Sequence, residues 1–358
     1  MATPAATAPS LRAALDAAFG ELAAVLQRPG QGAAACRMLS DTYDRAIAAR
    51  FDAAAPGAPL AIVATGGWAR RELAPYSDID FVVLHDRDEA AAKQLADRLL
   101  YPLWDEKVTV GHAIREARAA ARLAKGDLAT ATALLDARHI AGDRRLTGEL
   151  VRATLGALAP GGNPNDFIAM LADEQKARHA RFGASLYLLE PNLKQGIGAL
   201  RDLSTALWAA AIRWHPQHPG SDPEPTDALI PALVAMGHLT RRQGEILLNA
   251  RDFQLRIRAL LQLAATRRFD QLTFEIQEAI APALYPDAGG DERSAVAPAV
   301  EALMRDYYVH ARGVVQVADR LLDSARVPAR RRPRIAEVDA SFITFNGELA
   351  IRDPRLFV

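Results

Sequence analysis

Residues 66–80 read GGWARRELAPYSDID, and the order of parts in this stretch decides the fold. Two glycines, Gly66 and Gly67, close the apolar run 60–65, which suits a buried strand. A turn follows, and then Asp78 and Asp80 enter a second run, 79–84, richer still in branched apolar residues. Side chains alternate along a strand, so Asp78 and Asp80 point the same way while Ile79 packs behind them. Two adjacent carboxylates repel unless a cation neutralises both. Oxygen ligands of this kind suit Mg²⁺, which takes the rest of its shell from water and substrate phosphates. The glycines leave room for backbone N–H groups to approach a triphosphate. A Gly-Gly alone marks only a turn, and a lone Asp-x-Asp only a strand edge. Their combination points to a metal-and-nucleotide site at Gly66, Gly67, Ser77, Asp78 and Asp80.

The stretch resembles the signature of the DNA polymerase beta-like nucleotidyltransferase superfamily. Within it, Arg70, Glu72-Leu73 and Pro75-Tyr76-Ser77-Asp78-Ile79-Asp80 are similar to the bacterial PII-protein uridylyltransferases. Further stretches follow in the family's order. They include Tyr101-Pro102-Leu103-Trp104-Asp105, Val110-Gly111-His112, Glu190-Pro191-Asn192-Leu193-Lys194 and Leu200-Arg201-Asp202-Leu203. The resemblance runs from about residue 35 to about residue 325. It implies Mg²⁺-dependent transfer of UMP from UTP to a tyrosine hydroxyl of the PII nitrogen-regulatory protein, with release of pyrophosphate. The family continues into an HD phosphohydrolase domain and two ACT-type ligand-sensing domains, whose motifs are not visible in this sequence.

Composition narrows the class. Lysine plus arginine and aspartate plus glutamate both number 43, so no net field recruits nucleic acid or a membrane surface. The single cysteine, Cys36, excludes an internal disulfide and fits a reducing cytoplasm. No apolar stretch reaches the ~20 residues of a membrane span. The expectation is a soluble, cytoplasmic α+β protein: a small mixed-sheet palm followed by a mostly helical bundle.

Four regions are expected. N-terminal helices occupy 1–55, with segments at 10–27 and 34–54. The nucleotidyltransferase palm occupies 56–142, with strands at 60–65, 79–84 and 107–114 and a helix at 88–104. A helical domain covers 143–325, and a basic linker and tail cover 326–358. Within the palm and helical domain, the periodicity predicts helices at 117–124, 128–140, 144–158, 166–180, 198–214, 228–236, 239–266 and 295–324. Residues 216–227, 286–294 and 325–334 read as loops. The segment 342–358 reads as two short strands in need of a partner.

A second motif lies at 190–202. A glycine-bearing loop feeds a helix opening Leu200-Arg201-Asp202, so Lys194 and Arg201 stand near a helix N-terminus suited to phosphate. By resemblance this loop faces the palm. Lys194 and Arg201 then contact triphosphate oxygens or the nucleotide, as Arg70 does, and Asp202 orders one of them or adds a carboxylate.

The superfamily carries a third carboxylate on the strand after the Asp-x-Asp, where Thr109 stands here. Asp127, Asp136, Glu190 and Asp202 are chemical substitutes, although Asp127 also suits a helix N-cap. Trp68, Ala69 and Arg71 depart from the family's glycine pattern, as do Gln195, Ile197 and Ala199. Two alternatives therefore stand beside uridylylation. One is a transferase with another donor or acceptor, such as adenylylation of glutamine synthetase or RNA end addition. The other is a degenerate, non-catalytic module that binds nucleotide or PII.

Overall fold

The computed structural model describes residues 10–54, 57–214, 226–288, 296–326, 335–339, 342–345 and 348–351. Most of the expected loops at 216–227, 286–294 and 325–334 lie outside them. The chain is α+β, a small mixed sheet followed by a helical region.

The sheet contains β1 (Leu60–Thr65), β2 (Ile79–His85), β3 (Val110–Glu116) and β4 (Arg138–Gly142), in the order β3-β2-β1-β4. β1 pairs antiparallel with β2 and β4, while β2 and β3 run parallel. The parallel pair needs a crossover. It is made by α4 (Glu89–Asp105), whose N-cap Asp88 accepts from the Ala91 N–H.

Both sheet faces are covered, which explains the nearly continuous apolar runs of β1 and β2. Leu60, Ile62, Ala64, Ile79, Phe81 and Val83 face one core. This core is shared with α1 (Leu11–Leu26), α2 (Gly32–Ala54) and α4. Ala61, Val63, Val82 and Leu84 face the other. There they meet α5 (Ala117–Ala124), α6 (Leu128–Leu135), α7 (Arg144–Leu158), α8 (Asn165–Arg181) and α9 (Leu200–Trp214). Strand alternation therefore puts Asp80 on the side of α6 and α9.

The helical part continues with α10 (Thr226–Ala235), α11 (Arg241–Ala265), α12 (Phe274–Leu284) and α13 (Val296–Arg326). A short helix, α3 (Gly66–Ala69), follows β1 directly. Helix α11 ties the molecule together through polar side chains buried among apolar ones. Arg256 donates to the Leu26 and Gln27 carbonyls at the end of α1. Gln254 donates to the Gly198 carbonyl, and Gln262 accepts from the Tyr76 N–H. None of the described helices is long and apolar enough to cross a membrane.

Three expectations are corrected. The helix expected over 128–140 stops at Leu135, and Arg138–Gly142 forms the strand beside β1. Arg138 is drawn there by Asp44, at 2.7 Å, and by the Trp68 and Ala69 carbonyls. The third strand begins at Val110 rather than Lys107, because Lys107 takes φ +60° and closes the turn after α4. Helix α12 was not expected; it has eleven residues and an internal proline, Pro282. The tail strands expected in 342–358 are β6 (Phe342–Phe345) and β7 (Glu348–Ile351). They form a three-stranded antiparallel sheet with β5 (Ile335–Glu337).

Candidate active site

A cavity of about 300 Å³ opens between α3, the start of β2, α6, α9 and α11. Of the residues the sequence singled out, Gly66, Gly67, Arg70, Ser77, Asp78, Asp80, Lys194 and Arg201 all line it. They come from segments more than a hundred residues apart.

The acidic end is built by strand geometry. Ile79 is fully buried behind the pair, while Asp78 and Asp80 border the cavity. Burial, and then the neighbouring Asp78, push the Asp80 carboxyl above the usual carboxylate range. That repulsion makes the pair fit for a divalent cation. Arg268 Nη1 lies 2.8 Å from Asp78 Oδ2 and offsets part of this charge. Gly66 takes φ +59°, and a Cβ at Gly67 would meet nothing within 4 Å, so the backbone lies open there. Ser77 is turned inward: its hydroxyl accepts from the Ala74 N–H and fixes the turn before Asp78.

Two cations complete the cleft. Lys194 and Arg201 are half-buried, and among the described residues neither side chain has a carboxylate within ion-pair distance. Burial, and then Arg258, lower the Lys194 ammonium to about 8. Burial, and then Arg70, lower the Arg201 guanidinium to about 10. Partly desolvated cations without an ion-pair partner favour an incoming anion, although Asp270 and Asp78 act on Lys194, and Asp136 and Glu174 on Arg201, from beyond that distance. The loop that carries Lys194 is held by Asn192, whose side chain accepts from the Lys194 and Gln195 N–H groups.

Arg70 is differently employed. It donates to Glu72 at 2.7 Å and to Asp136, while Asp136 also accepts from Trp208 Nε1 at 2.8 Å. Glu72 in turn meets Arg251 at 2.9 Å. Burial opposes the Glu72 charge, yet Arg70 and Arg251 hold its carboxyl down at about 2. Burial raises the Asp136 carboxyl despite Arg70. Arg70 therefore serves as a brace across the cleft wall, with its charge already shared between two acids.

Asp202 is a correction. It does not line the cavity and is 1% exposed. Its carboxylate accepts from the Gly198 N–H at 2.7 Å, pairs with Arg178 at 2.9 Å and meets His179 Nε2 at 2.8 Å. It fixes the start of α9 and leaves no oxygen for a ligand. Arg71 also turns away from the phosphate end. At φ +55°, it reaches Asp41 on α2 at 2.5 Å. Asp127 is the N-cap of α6, accepting from the Ala129 and Thr130 N–H groups. Thr109 stands beside the pair, its carbonyl accepting from the Ile79 N–H, and brings no carboxylate. Among the described residues no three His, Cys, Asp or Glu side chains form a metal cluster.

Sequence reasoning overlooked Arg251, Arg258 and Arg268. Arg258 braces the floor, 2.7 Å from Asp270, with a further contact to the Glu72 carbonyl. A signal was present for two of them: Arg251, Gln254, Arg258 and Gln262 recur at helical spacing along α11.

Residues 166–322 match the family model described as GlnD PII-uridylyltransferase. The chain is 33% identical to the bifunctional uridylyltransferase/uridylyl-removing enzyme of Phenylobacterium zucineum, over 93% of this chain and 36% of the relative. The enzyme of the same description from Caulobacter vibrioides is 35% identical, over 81% of this chain and 30% of its own length. That from Bradyrhizobium diazoefficiens is 32% identical over 98% and 39%. The chain thus spans about a third of the length of these curated relatives.

Proposed function

We propose that the cleft transfers UMP from UTP to a tyrosine hydroxyl of PII, a reading supported by the match to the GlnD PII-uridylyltransferase model and by the likeness to uridylyltransferase/uridylyl-removing enzymes. The observation that carries the reading is the meeting of Asp78 and Asp80 with Lys194 and Arg201, two cations held in no ion pair among the described residues, in one cleft. Acids alone would repel a triphosphate; Lys194, which acts on Asp80, supplies counter-charge at that end of the cleft.

Asp78 and Asp80 are the residues that would hold Mg²⁺, whose chemistry is to neutralise charge on the triphosphate and to make an acceptor hydroxyl more acidic. The open backbone at Gly66 and Gly67 takes the outer phosphates, and Lys194 attracts them. Ser77 and Arg258 hold the turn that aims the aspartates. Arg268 screens Asp78 before substrate arrives. An acceptor oxygen then bonds to the α-phosphorus, the bond to the bridging oxygen breaks, and pyrophosphate leaves with its electron pair. Rate enhancement comes from positioning and fixed charge rather than from a protein nucleophile.

Incubation with UTP, Mg²⁺ and PII should attach UMP to a tyrosine, and Asp80→Ala should abolish the product. Undiminished transfer by Asp80→Ala would remove the assigned centre. A screen of all four nucleotides and of glutamine synthetase or RNA as acceptor separates the other transferase readings.

Thr109 favours a second reading. With no acid at that position, the chain would bind nucleotide or PII without turnover. Nucleotide binding insensitive to Mg²⁺ and without product would select it.

A further inference from the structure

The cleft has two chemically distinct ends. Lys194 and Arg268 are the cations felt by Asp80, whereas Arg201 is felt chiefly against Arg70 and Asp136. Around Arg201 two helical stripes face each other. On α9, Arg201, Ser204 and Trp208 are spaced i, i+3, i+7; on α6, Ala129, Thr132 and Ala133 precede the cap Asp136 at i, i+3, i+4, i+7. The alanines leave space between the stripes. The Arg201 guanidinium carbon lies 5.3 Å from the Trp208 ring centroid, and Arg70 lies 5.7 Å from the same ring.

The hydrogen-bonding capacity of this end is asymmetric. Arg201 can only donate. Ser204 already donates its hydroxyl proton to the Leu200 carbonyl, at 3.0 Å, and Thr132 donates to the Leu128 carbonyl, at 3.0 Å. Both hydroxyl oxygens therefore keep lone pairs for an incoming N–H. A donor beside an acceptor matches a base edge that presents a carbonyl next to a ring N–H, as uracil does. Cytosine reverses the pattern, setting an amino group against a guanidinium.

We propose that Arg201 is the specificity-determining residue of the cleft. It donates to the O4 carbonyl of the uracil ring, a hydroxyl from Ser204 or Thr132 accepts the ring N–H, and Lys194 serves the phosphates. This assignment rests on the nucleotide-binding reading of the cleft and divides its two cations by role. An exchange at Arg201 then changes which base is bound, and an exchange at Lys194 changes how tightly any triphosphate is bound.

The test is calorimetric titration with UTP, CTP and inorganic tripolyphosphate, each with Mg²⁺, on the full chain and on Arg201→Lys, Arg201→Gln and Lys194→Met. Thermal melts accompany each variant. The wild type is expected to prefer UTP over CTP by about tenfold or more, the range of a lost hydrogen bond to a charged donor. Arg201→Lys keeps the charge and loses the planar fork, so the preference should fall to about threefold or less. In Arg201→Gln, tripolyphosphate affinity should stay within about twofold of wild type. Lys194→Met should weaken all three ligands together and keep the UTP preference. Equal loss of UTP, CTP and tripolyphosphate in Arg201→Gln would make Arg201 a phosphate ligand and overturn the assignment. Retention of the full UTP preference in Arg201→Lys would overturn it equally. If the wild type binds tripolyphosphate but no nucleotide better, base reading falls while the anion site stands. If it binds none of the three, the nucleotide-binding reading falls too.

Discussion

A Cβ atom placed on Gly111 would lie 2.1 Å from Oδ1 of Asp80, closer than any real contact. The two residues are register partners in the parallel pair β2 and β3. The glycine on one strand is thus the space into which the neighbouring strand's carboxylate fits. Gly111 does not have a positive φ, so its requirement is steric.

Gly111→Ala should therefore displace the Asp80 carboxylate without a backbone penalty. Misplacing a reacting group by about 1 Å costs on the order of a hundredfold in rate. We expect a loss of that size in uridylyl transfer, with the melting temperature close to wild type. Steady-state kinetics beside a thermal melt checks this, and unchanged kinetics would show that Asp80 need not occupy that space.

Lys194 ties binding to pH. Its ammonium, held at about 8 by burial and Arg258, binds fewer protons when folded than when unfolded between about pH 8 and its ordinary value. Stability should therefore rise with pH across that window, and triphosphate affinity should fall as the charge is lost. Lys194→Met should raise the melting temperature at pH 7 by a few degrees while weakening triphosphate binding. A lower melting temperature in this variant would contradict the account of Lys194 as a cation that burial destabilises.

Glu72 gives the opposite sign. Arg70 and Arg251 hold its carboxyl at about 2 against the opposing effect of burial, so its contribution is present above the ordinary carboxylate range. It is lost as pH falls through that range towards 2. Glu72→Gln leaves two buried arginines short of a partner and should cost on the order of 3 kcal/mol at pH 7. The gap from wild type should narrow steadily in denaturant melts taken from pH 5 to pH 2.

Asp202→Asn tests the reassignment of that residue. It removes the Asp202 charge from Arg178, whose side chain is 1% exposed and keeps Glu174 and the Gln195 carbonyl, and should destabilise the helical region by about 2 kcal/mol. UTP affinity of the folded fraction should hardly change. A tenfold loss of affinity with unaltered stability would return Asp202 to the cleft.

Much of the palm was legible because its signals are local. The apolar runs of β1 and β2, the glycines between them and the alternation that pairs Asp78 with Asp80 are properties of one short stretch. The Asp127 cap and the long helices α11 and α13 follow from the same short-range rules. Local signals failed where a distant partner decided. Residues 128–140 have helical apolar spacing, yet Asp136 is claimed by Trp208 and Arg70, and Arg138 by Asp44. The helix ends at Leu135, and the chain joins the sheet edge.

The sequence by itself determined the acidic pair, the glycine turn and the two-part α+β plan, because periodicity and turn chemistry act over a few residues. Only the tertiary structure decided which charges remain free for a ligand. Arg70, Arg258 and Asp202 look as available in the sequence as Lys194 and Arg201. Folding brings Glu72, Asp136, Asp270 and Arg178 against the first three and, among the described residues, leaves the last two outside any ion pair. Ion pairing depends on separations of a few ångströms in space, and those are set by packing between segments that are far apart in the chain.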